Sequence, residues 1–170
     1  NLPAGSIYTF EQVVDWFQPL GEGDIKGKRI LELGCGNGSL MFHLLKWLPR
    51  QLHGLDLGDS VVAARETLSR SGFSNWSVEQ ADLLSYQSNN YDIVYSIGVL
   101  HHLESPENGF DAVVRNVKSG GNFHCWVYGR EGNGIIVYLV EPIRRFVSKC
   151  PWWITKYICA TPLAALLFIY

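Results

Sequence analysis

The sequence predicts an α/β fold, a doubly wound and mostly parallel sheet of five strands with a helical appendage after strand five. An apolar alternation at residues 30–33 runs directly into a G-x-G-x-G turn at 34–38, and an apolar helical pattern follows. Strand, glycine turn and helix in this order form the first βα unit of a nucleotide-binding sheet. Further along, strand-like and helix-like runs alternate to residue 128, as in sheets built from right-handed βαβ units.

Each element carries its own local signal. Thr9 and Gln12 form a capping box that begins a short first helix, and Pro19 ends it. The helix after the first strand ends at Pro49. Later strands are predicted at 51–57, 76–80, 91–97 and 122–128, and later helices at 60–71 and 106–117, the last ending at Gly120–Gly121. Residues 91–97 are almost continuously apolar, which is typical of a buried parallel strand.

Composition narrows the class of protein. The chain has 170 residues, 47% of them hydrophobic and 18% charged, which fits one globular domain. A net charge of -2 without a long basic run argues against nucleic-acid binding. The four cysteines show no C-x-x-C or metal-ligand spacing, so we expect a reduced, cytoplasmic protein with no metal site. The first residue is not Met and the last five are apolar, so we expect a part of a longer polypeptide.

Four motifs in order resemble class I S-adenosylmethionine-dependent methyltransferases, within them the ubiquinone/menaquinone-biosynthesis-like branch. They are L-E-L-G-C-G-N-G at 31–38, L-D-L at 55–57, Q-A-D-L at 80–83 and S-I-G-V-L-H-H-L at 96–103. The resemblance covers roughly residues 28–128. It implies a Rossmann-like methyltransferase fold with S-adenosyl-L-methionine as cofactor and S-adenosyl-L-homocysteine as product. The G-x-G-x-G spacing counts against a nicotinamide-dependent oxidoreductase, whose fingerprint is G-x-G-x-x-G.

The resemblance implies cofactor-binding roles for a set of residues in these motifs: Glu32, Gly34, Cys35, Gly36, Gly38, Asp56, Leu57, Asp82, Leu83, Ser96 and Ile97. The glycine loop passes its backbone beside the amino-acid and ribose portions, and Glu32 fixes the loop and the cofactor's ammonium. Asp56 accepts hydrogen bonds from both ribose hydroxyls. Asp82 and the Leu83 backbone bind the adenine edge.

Ser96 and Ile97 would line the methionine side of the cofactor by backbone contact. Simpler roles stand beside these cofactor-binding roles. Asp56 and Asp82 could be ordinary strand-end caps, an alternative that the motif disfavours for Asp56 and that fits Asp82 better. In the same way, Cys35 would be a small loop-filling residue rather than a nucleophile. These alternatives need no ligand.

The adjacent histidines His101 and His102 are the candidate catalytic residues. One could act as a base, but a structural or pocket-lining role is the favoured interpretation, and no acidic or cysteine ligand lies at a zinc-binding spacing. The sulfonium already activates its methyl group, so the enzyme mainly aligns the reactants and excludes water. A base is needed only where the acceptor must lose a proton.

The acceptor is predicted from aromatic residues that could roof an apolar pocket: Trp16, Phe17, Trp126, Trp152 and Trp153. They favour a small, apolar or aromatic acceptor, although a core or dimer-face role is equally compatible. An RNA-modifying methyltransferase and a cofactor-binding module without catalysis are the alternatives. No nucleic-acid partner is expected, and the sequence does not predict the oligomeric state.

The sequence divides into a methyltransferase core at 1–130 and a helical lid or cap at 131–170. We expect the lid to belong to an insertion that precedes further C-terminal strands. The rival interpretation is peripheral membrane contact, because residues 157–170 are uncharged although Pro162 interrupts them. Arg144, Arg145, Lys149 and Lys156 could then meet anionic headgroups.

Overall fold

A computed structural model describes residues 7–127 and, singly, residues 138, 149 and 151. The chain divides into two compact units, residues 1–128 and 129–170. The lid, the membrane contact and the aromatic residues Trp152 and Trp153 therefore fall almost wholly outside the described residues. In the part that is described, no helix is both long enough and apolar enough to cross a membrane.

The described unit is built on the predicted sheet. Its strands are β1 (Arg29–Leu33), β2 (Gln51–Asp56), β3 (Trp76–Gln80), β4 (Tyr91–Ile97) and β5 (Val117–Trp126). All four pairings are parallel and the strand order is β3-β2-β1-β4-β5. The chain moves outward from β1 to β3 and returns to β4 on the other side of β1. This reversal places a ligand-binding crevice at the carboxyl ends of β1 and β4.

Helices cover both faces of the sheet. They are α1 (Phe10–Phe17), α2 (Glu22–Ile25), α3 (Ser39–Leu44), α4 (Ser60–Ser69) and α5 (Pro106–Asn116), with 3-10 turns at Leu45–Trp47 and Leu100–His102. The capping box of α1 is present: the Thr9 N–H donates to Gln12 Oε1 at 2.9 Å and the Gln12 N–H donates to Thr9 Oγ1 at 3.3 Å. The described link from β3 to β4 contains no helix.

Alternate residues of the central strands pack into two separate hydrophobic cores, one on each face of the sheet. Ile30 of β1 and Tyr95 of β4 pack with the helices on one face, whereas Leu31 of β1 and Val94 of β4 pack with α5 on the other. These side chains are fully buried, and each apolar one contributes about 1.5–3 kcal/mol to stability. The sheet is buried on both faces, so the prediction of a doubly wound sheet is confirmed.

The start of β5 differs from the prediction, because α5 ends at Asn116 and the strand begins at Val117. The fully buried Asn116 amide donates to the Tyr86 carbonyl at 3.1 Å and accepts the Ser88 N–H at 2.8 Å, which fixes the helix end. Gly120 and Gly121 lie inside the strand at a register shift and do not end the helix. A Cβ at Gly121 would lie 2.7 Å from the Asp92 carbonyl oxygen, so this position requires glycine.

Candidate active site

The glycine loop that follows β1 has three different reasons for its three glycines. All have positive φ, which disfavours other residues: +83° at Gly34, +52° at Gly36 and +76° at Gly38. A Cβ at Gly34 would lie 2.5 Å from a Val99 methyl, and one at Gly38 would lie 3.2 Å from the Ala64 Cα. A Cβ at Gly36 would meet no described atom within 4 Å. Gly34 and Gly38 therefore allow close packing, while Gly36 leaves its backbone open to a ligand.

The carboxyl end of β2 holds this loop in place. The N–H groups of Gly34 and Cys35 both donate to the Leu55 carbonyl at 2.8 Å. The Gly36 N–H donates to Asp56 Oδ2, also at 2.8 Å. The loop conformation is thus fixed by the neighbouring strand.

Asp56 has more protein partners than the sequence indicated. Its Oδ1 accepts the Gly58 N–H at 3.0 Å and the Ser60 hydroxyl at 2.8 Å, in addition to the Gly36 bond on Oδ2. An ionised carboxylate has about four lone-pair sites, so about one remains open. Asp56 is therefore a strand-end cap whose carboxylate can still accept about one more hydrogen bond.

Glu32 is a buried carboxyl group at the wall of the site. It is 1% exposed, and the Tyr95 hydroxyl donates to its Oε2 at 2.7 Å. Burial raises the pKa of Glu32 to about 8, with a smaller contribution in the same direction from the Asp56 charge, while the Tyr95 bond opposes the shift. A cation placed beside Glu32 would favour its ionised form.

Two cavities meet at this edge of the sheet. The loop cavity, about 290 Å³, is lined by Glu32, the glycine loop, Ser39 and Val99, among others. The aromatic cavity, about 410 Å³, is lined by Gln12, Trp16 and Trp126, among others. Both cavities share the same dividing residues: Ile7, Tyr8, Leu40, Ile97 and Gly98. A molecule in one cavity would therefore lie next to a molecule in the other.

The segment at residues 7–17 contributes Ile7 and Tyr8 to the residues shared by the two cavities, and three hydrogen bonds hold it in place. The Ile7 N–H donates to Ser39 Oγ at 3.1 Å. His43 Nε2 lies 2.9 Å from the Tyr8 carbonyl and His124 Nε2 lies 2.7 Å from the Trp16 carbonyl. Carbonyl oxygens only accept, so both Nε2 atoms carry the proton.

Of the aromatic residues expected to roof an acceptor pocket, two line a cavity and Phe17 does not, while the acceptor role itself stays a prediction. Trp16 and Trp126 line the aromatic cavity, with ring centroids 6.1 Å apart. Phe17 is fully buried in the core, stacked on His124 and edge-on to Tyr95, because it lies on the inner face of α1. Sequence reasoning missed Ile7, Tyr8 and Leu40, whose role depends on long-range docking of the segment.

Six of the predicted cofactor residues do not line the loop cavity: Gly38, Asp56, Leu57, Asp82, Leu83 and Ser96. Leu57, which follows Asp56, is 72% exposed, and Leu83 is buried in the core. Asp82 is exposed and its Oδ1 accepts the Leu84 N–H at 2.9 Å, as in a turn cap. The fully buried Ser96 hydroxyl donates to the Leu33 carbonyl at 2.8 Å, so its side chain joins β1 to β4.

Cys35 and the histidine pair have environments that constrain their chemistry. Burial, and then the charges of Glu32 and Asp56, raise the pKa of the Cys35 thiol, which keeps it protonated. The rings of His101 and His102 are 4.0 Å apart, and neither lines the two cavities. Burial and the neighbouring His102 lower the pKa of His101. Within the described residues, no group of three or more His, Cys, Asp or Glu side chains is placed to hold a metal ion.

The chain matches a known protein family over the residues that form this sheet and its glycine loop. Residues 31–123, more than half of the chain, match the model of the methyltransferase domain. The chain belongs to the methyltransferase domain family. The match begins within β1 and ends within β5, so it contains the glycine loop and the carboxyl ends of β1, β2, β3 and β4.

The relatives of this methyltransferase domain are named for different acceptors or pathways, ubiquinone biosynthesis in one case and tRNA in another. It is 30% identical over 118 residues to a ubiquinone biosynthesis O-methyltransferase of Bordetella avium, covering 68% of this chain and 46% of that protein. It is 28% identical over 119 residues to a tRNA U34 carboxymethyltransferase of Helicobacter acinonychis, covering 66% and 45%. The chain thus spans less than half the length of these relatives.

Solved structures agree with the family. A S-adenosylmethionine-dependent methyltransferase from Mesorhizobium loti has a TM-score of 0.52 and 29% identity, covering 61% of this chain and 47% of that one. Magnesium protoporphyrin IX methyltransferase from Synechocystis, solved with bound S-adenosylhomocysteine, shares the fold with a TM-score of 0.54, 23% identity and coverage of 64% and 50%. The predicted class I methyltransferase family and fold are confirmed; the ubiquinone-like branch has weaker support, since tRNA-modifying relatives match as well.

Proposed function

We propose that this domain binds S-adenosylmethionine in the loop cavity and transfers its methyl group to a small, apolar or aromatic acceptor in the aromatic cavity. The wall that the two cavities share carries this proposal. A methyl donor and its acceptor must be in direct contact, and adjoining cavities bring two bound molecules within that range. Family membership supports the cofactor.

The residues of the loop cavity suit this cofactor. Gly36 exposes backbone without a side chain, and Asp56 supplies negative charge for a cationic ligand. A cation bound beside Glu32 would favour the ionised form of this second carboxyl group, whose pKa burial raises. We propose that Asp56 accepts one ribose hydroxyl at its open lone-pair site. The second ribose hydroxyl would replace the Ser60 hydroxyl as a donor to Asp56 Oδ1. Leu57 provides an exposed apolar surface for adenine beside Asp82 and Leu83.

The aromatic cavity suits a small apolar acceptor. Its volume of about 410 Å³ lies within the range of small-molecule sites, and Tyr8, Trp16 and Trp126 supply aromatic surface. Gln12 is a polar side chain in the lining, and its Oε1 already accepts the Thr9 N–H. The Gln12 amide N–H groups are the donors it can offer to orient an acceptor.

Catalysis by this domain would rest mainly on alignment. The bound cofactor supplies a methyl group that its sulfonium activates. The protein would align the methyl group in one cavity with the acceptor in the other and would exclude water. The hydrogen-bonded segment at residues 7–17 would contribute to both effects. His101 is proposed as a structural neighbour of Val99, which lines the loop cavity, rather than as a base.

RNA modification is the second candidate function, and the tRNA U34 carboxymethyltransferase relatives favour it. The chain's net charge of -2 and the aromatic side chains that line the acceptor cavity favour the small-molecule proposal instead. A cofactor-binding module without catalysis is the third candidate. The helical lid at 131–170, its membrane contact and a cytoplasmic location remain proposals.

Transfer of a labelled methyl group separates these functions. The full-length protein is incubated with methyl-tritiated S-adenosylmethionine and either hydroxylated aromatic compounds or unmodified tRNA. We expect label in the aromatic compounds and not in the tRNA. Label in the tRNA alone would establish RNA modification. Tight cofactor binding with no label in any acceptor would favour the module without catalysis.

A further inference from the structure

A third cavity lies at the opposite edge of the sheet from the proposed methyl-transfer site. It has a volume of about 400 Å³ and is formed where β1, β2 and β3 begin. Its lining includes Arg29, Arg50, Gln51, Ser74, Asn75 and Trp76. We call it the arginine cleft. A strand of five or six residues separates it from the glycine loop by about 15–20 Å.

The two guanidinium groups of this cleft are not neutralised. Within residues 7–127, the guanidinium groups of Arg29 and Arg50 form no hydrogen bond or ion pair. Among the described residues, no carboxylate lines the cleft. The neighbouring Asp92 carboxylate accepts the Arg29 backbone N–H at 2.7 Å and is paired with Lys118. The cleft therefore has an excess of positive charge.

The frame of the cleft is fixed before any ligand binds. The Asn75 amide donates to the Pro49 carbonyl at 2.6 Å, and the Trp76 indole N–H donates to the Phe73 carbonyl at 2.9 Å. The Arg29 guanidinium lies 5.8 Å from the centre of the Tyr91 ring, a cation–π contact that orients it. Because these side chains are already held in place, little conformational entropy would be lost there when a ligand binds.

We propose that the arginine cleft binds a phosphate group, with Arg29 and Arg50 as its charged ligands and Ser74 and Gln51 as neutral donors. The planar guanidinium fork matches the oxygens of a phosphate and forms paired, charge-assisted hydrogen bonds with them. Trp76 adds an apolar wall for the part of the molecule that carries the phosphate. The source is either a free phosphorylated small molecule or the backbone of a nucleic acid.

Phosphate titration followed by nuclear magnetic resonance tests this site. The full-length protein is titrated with inorganic phosphate at constant ionic strength, and the Trp76 indole N–H and the arginine Nε–H signals are followed. We expect saturable shifts that Arg50→Gln weakens about tenfold, the loss expected for one charge-assisted hydrogen bond. Arg50 is exposed, so its replacement leaves the fold intact. Arg70→Gln, which removes an exposed arginine outside the lining, should bind phosphate normally.

Two further ligands identify the source of the phosphate. Saturation at lower concentration by a mononucleotide than by short single-stranded RNA assigns the site to a small molecule, and the reverse order assigns it to nucleic acid; both results support the site. The absence of saturable shifts at the cleft, or equal affinities for Arg50→Gln and Arg70→Gln, would overturn it. Cofactor affinity should be the same in both variants, which separates this test from the proposed function.

Discussion

At the scale of single residues, two carboxyl groups hold the structure of the site and are also the ligand contacts that we propose. Asp56 holds the glycine loop through the Gly36 N–H and the start of α4 through the Ser60 hydroxyl. Glu32 lies fully buried against Tyr95 at the wall of the loop cavity. Both positions were predicted from the motif, but their protein partners were not. Gly36 and Tyr95 lie 20 and 63 residues from the carboxyl groups that they contact, whereas Ser60 lies only four residues from Asp56.

Replacement of Asp56 by Ala should weaken S-adenosylmethionine binding at least about tenfold, since one charge-assisted hydrogen bond contributes about 1.5–3 kcal/mol. Ser60→Ala is the matched control, because it removes only the hydroxyl that occupies Asp56 Oδ1. Its cofactor affinity should be equal to or higher than that of the wild type. Titration calorimetry measures both. Unchanged affinity in a folded Asp56→Ala protein would contradict the ribose assignment.

Glu32 should make the stability of the ligand-free protein depend on pH. Its pKa is raised from 4.5 to about 8 on folding, so the folded state keeps a proton that the unfolded state loses. The stabilisation is complete below pH 4.5 and is lost as the pH rises to about 8. It amounts to up to about 5 kcal/mol.

Glu32→Gln removes this titration while keeping a neutral acceptor for Tyr95. From pH 5 to pH 8, the free energy of unfolding of the wild type should therefore fall relative to that of Glu32→Gln. Denaturant unfolding at several pH values measures it. A difference that stays constant over this range would show that Glu32 ionises normally.

At the scale of elements, local signals were enough for most of the sheet and not for its attachments. Strand β4 and the α1 capping box follow from patterns within a few residues. The junction of α5 and β5 does not, because buried Asn116 ends the helix through contacts with Tyr86 and Ser88. The docking of residues 7–17 likewise depends on His43 and His124, which lie far away in sequence.

The docked segment leads to a prediction about Trp16. Trp16→Ala should raise the KM for the methyl acceptor at least about tenfold, because it removes much of an aromatic wall that would bury apolar surface. Cofactor affinity should stay the same, since Trp16 does not line the loop cavity. Phe110→Ala, an exposed aromatic of α5, is the control. Equal KM values for Trp16→Ala and Phe110→Ala would contradict the assignment of the acceptor to the aromatic cavity.

At the scale of the whole molecule, the described unit uses the two edges of one sheet differently. The carboxyl edge carries two adjoining cavities, and the amino edge carries the arginine cleft. The glycine spacing and motif order indicated the first edge. They did not indicate the second, because Arg29, Arg50 and Trp76 belong to no motif and meet only when parallel strands begin side by side.

The central claim is that the glycine loop binds S-adenosylmethionine, and calorimetric titration of wild type against Gly36→Val tests it most directly. A valine at Gly36 would project into open space beside the loop and resist the positive φ there, so it should block the ligand without disturbing packed neighbours. We predict saturable one-to-one binding to the wild type. Gly36→Val should show no detectable binding, with an unchanged far-ultraviolet circular dichroism spectrum. No binding to the wild type, or equal binding to Gly36→Val, would contradict the account.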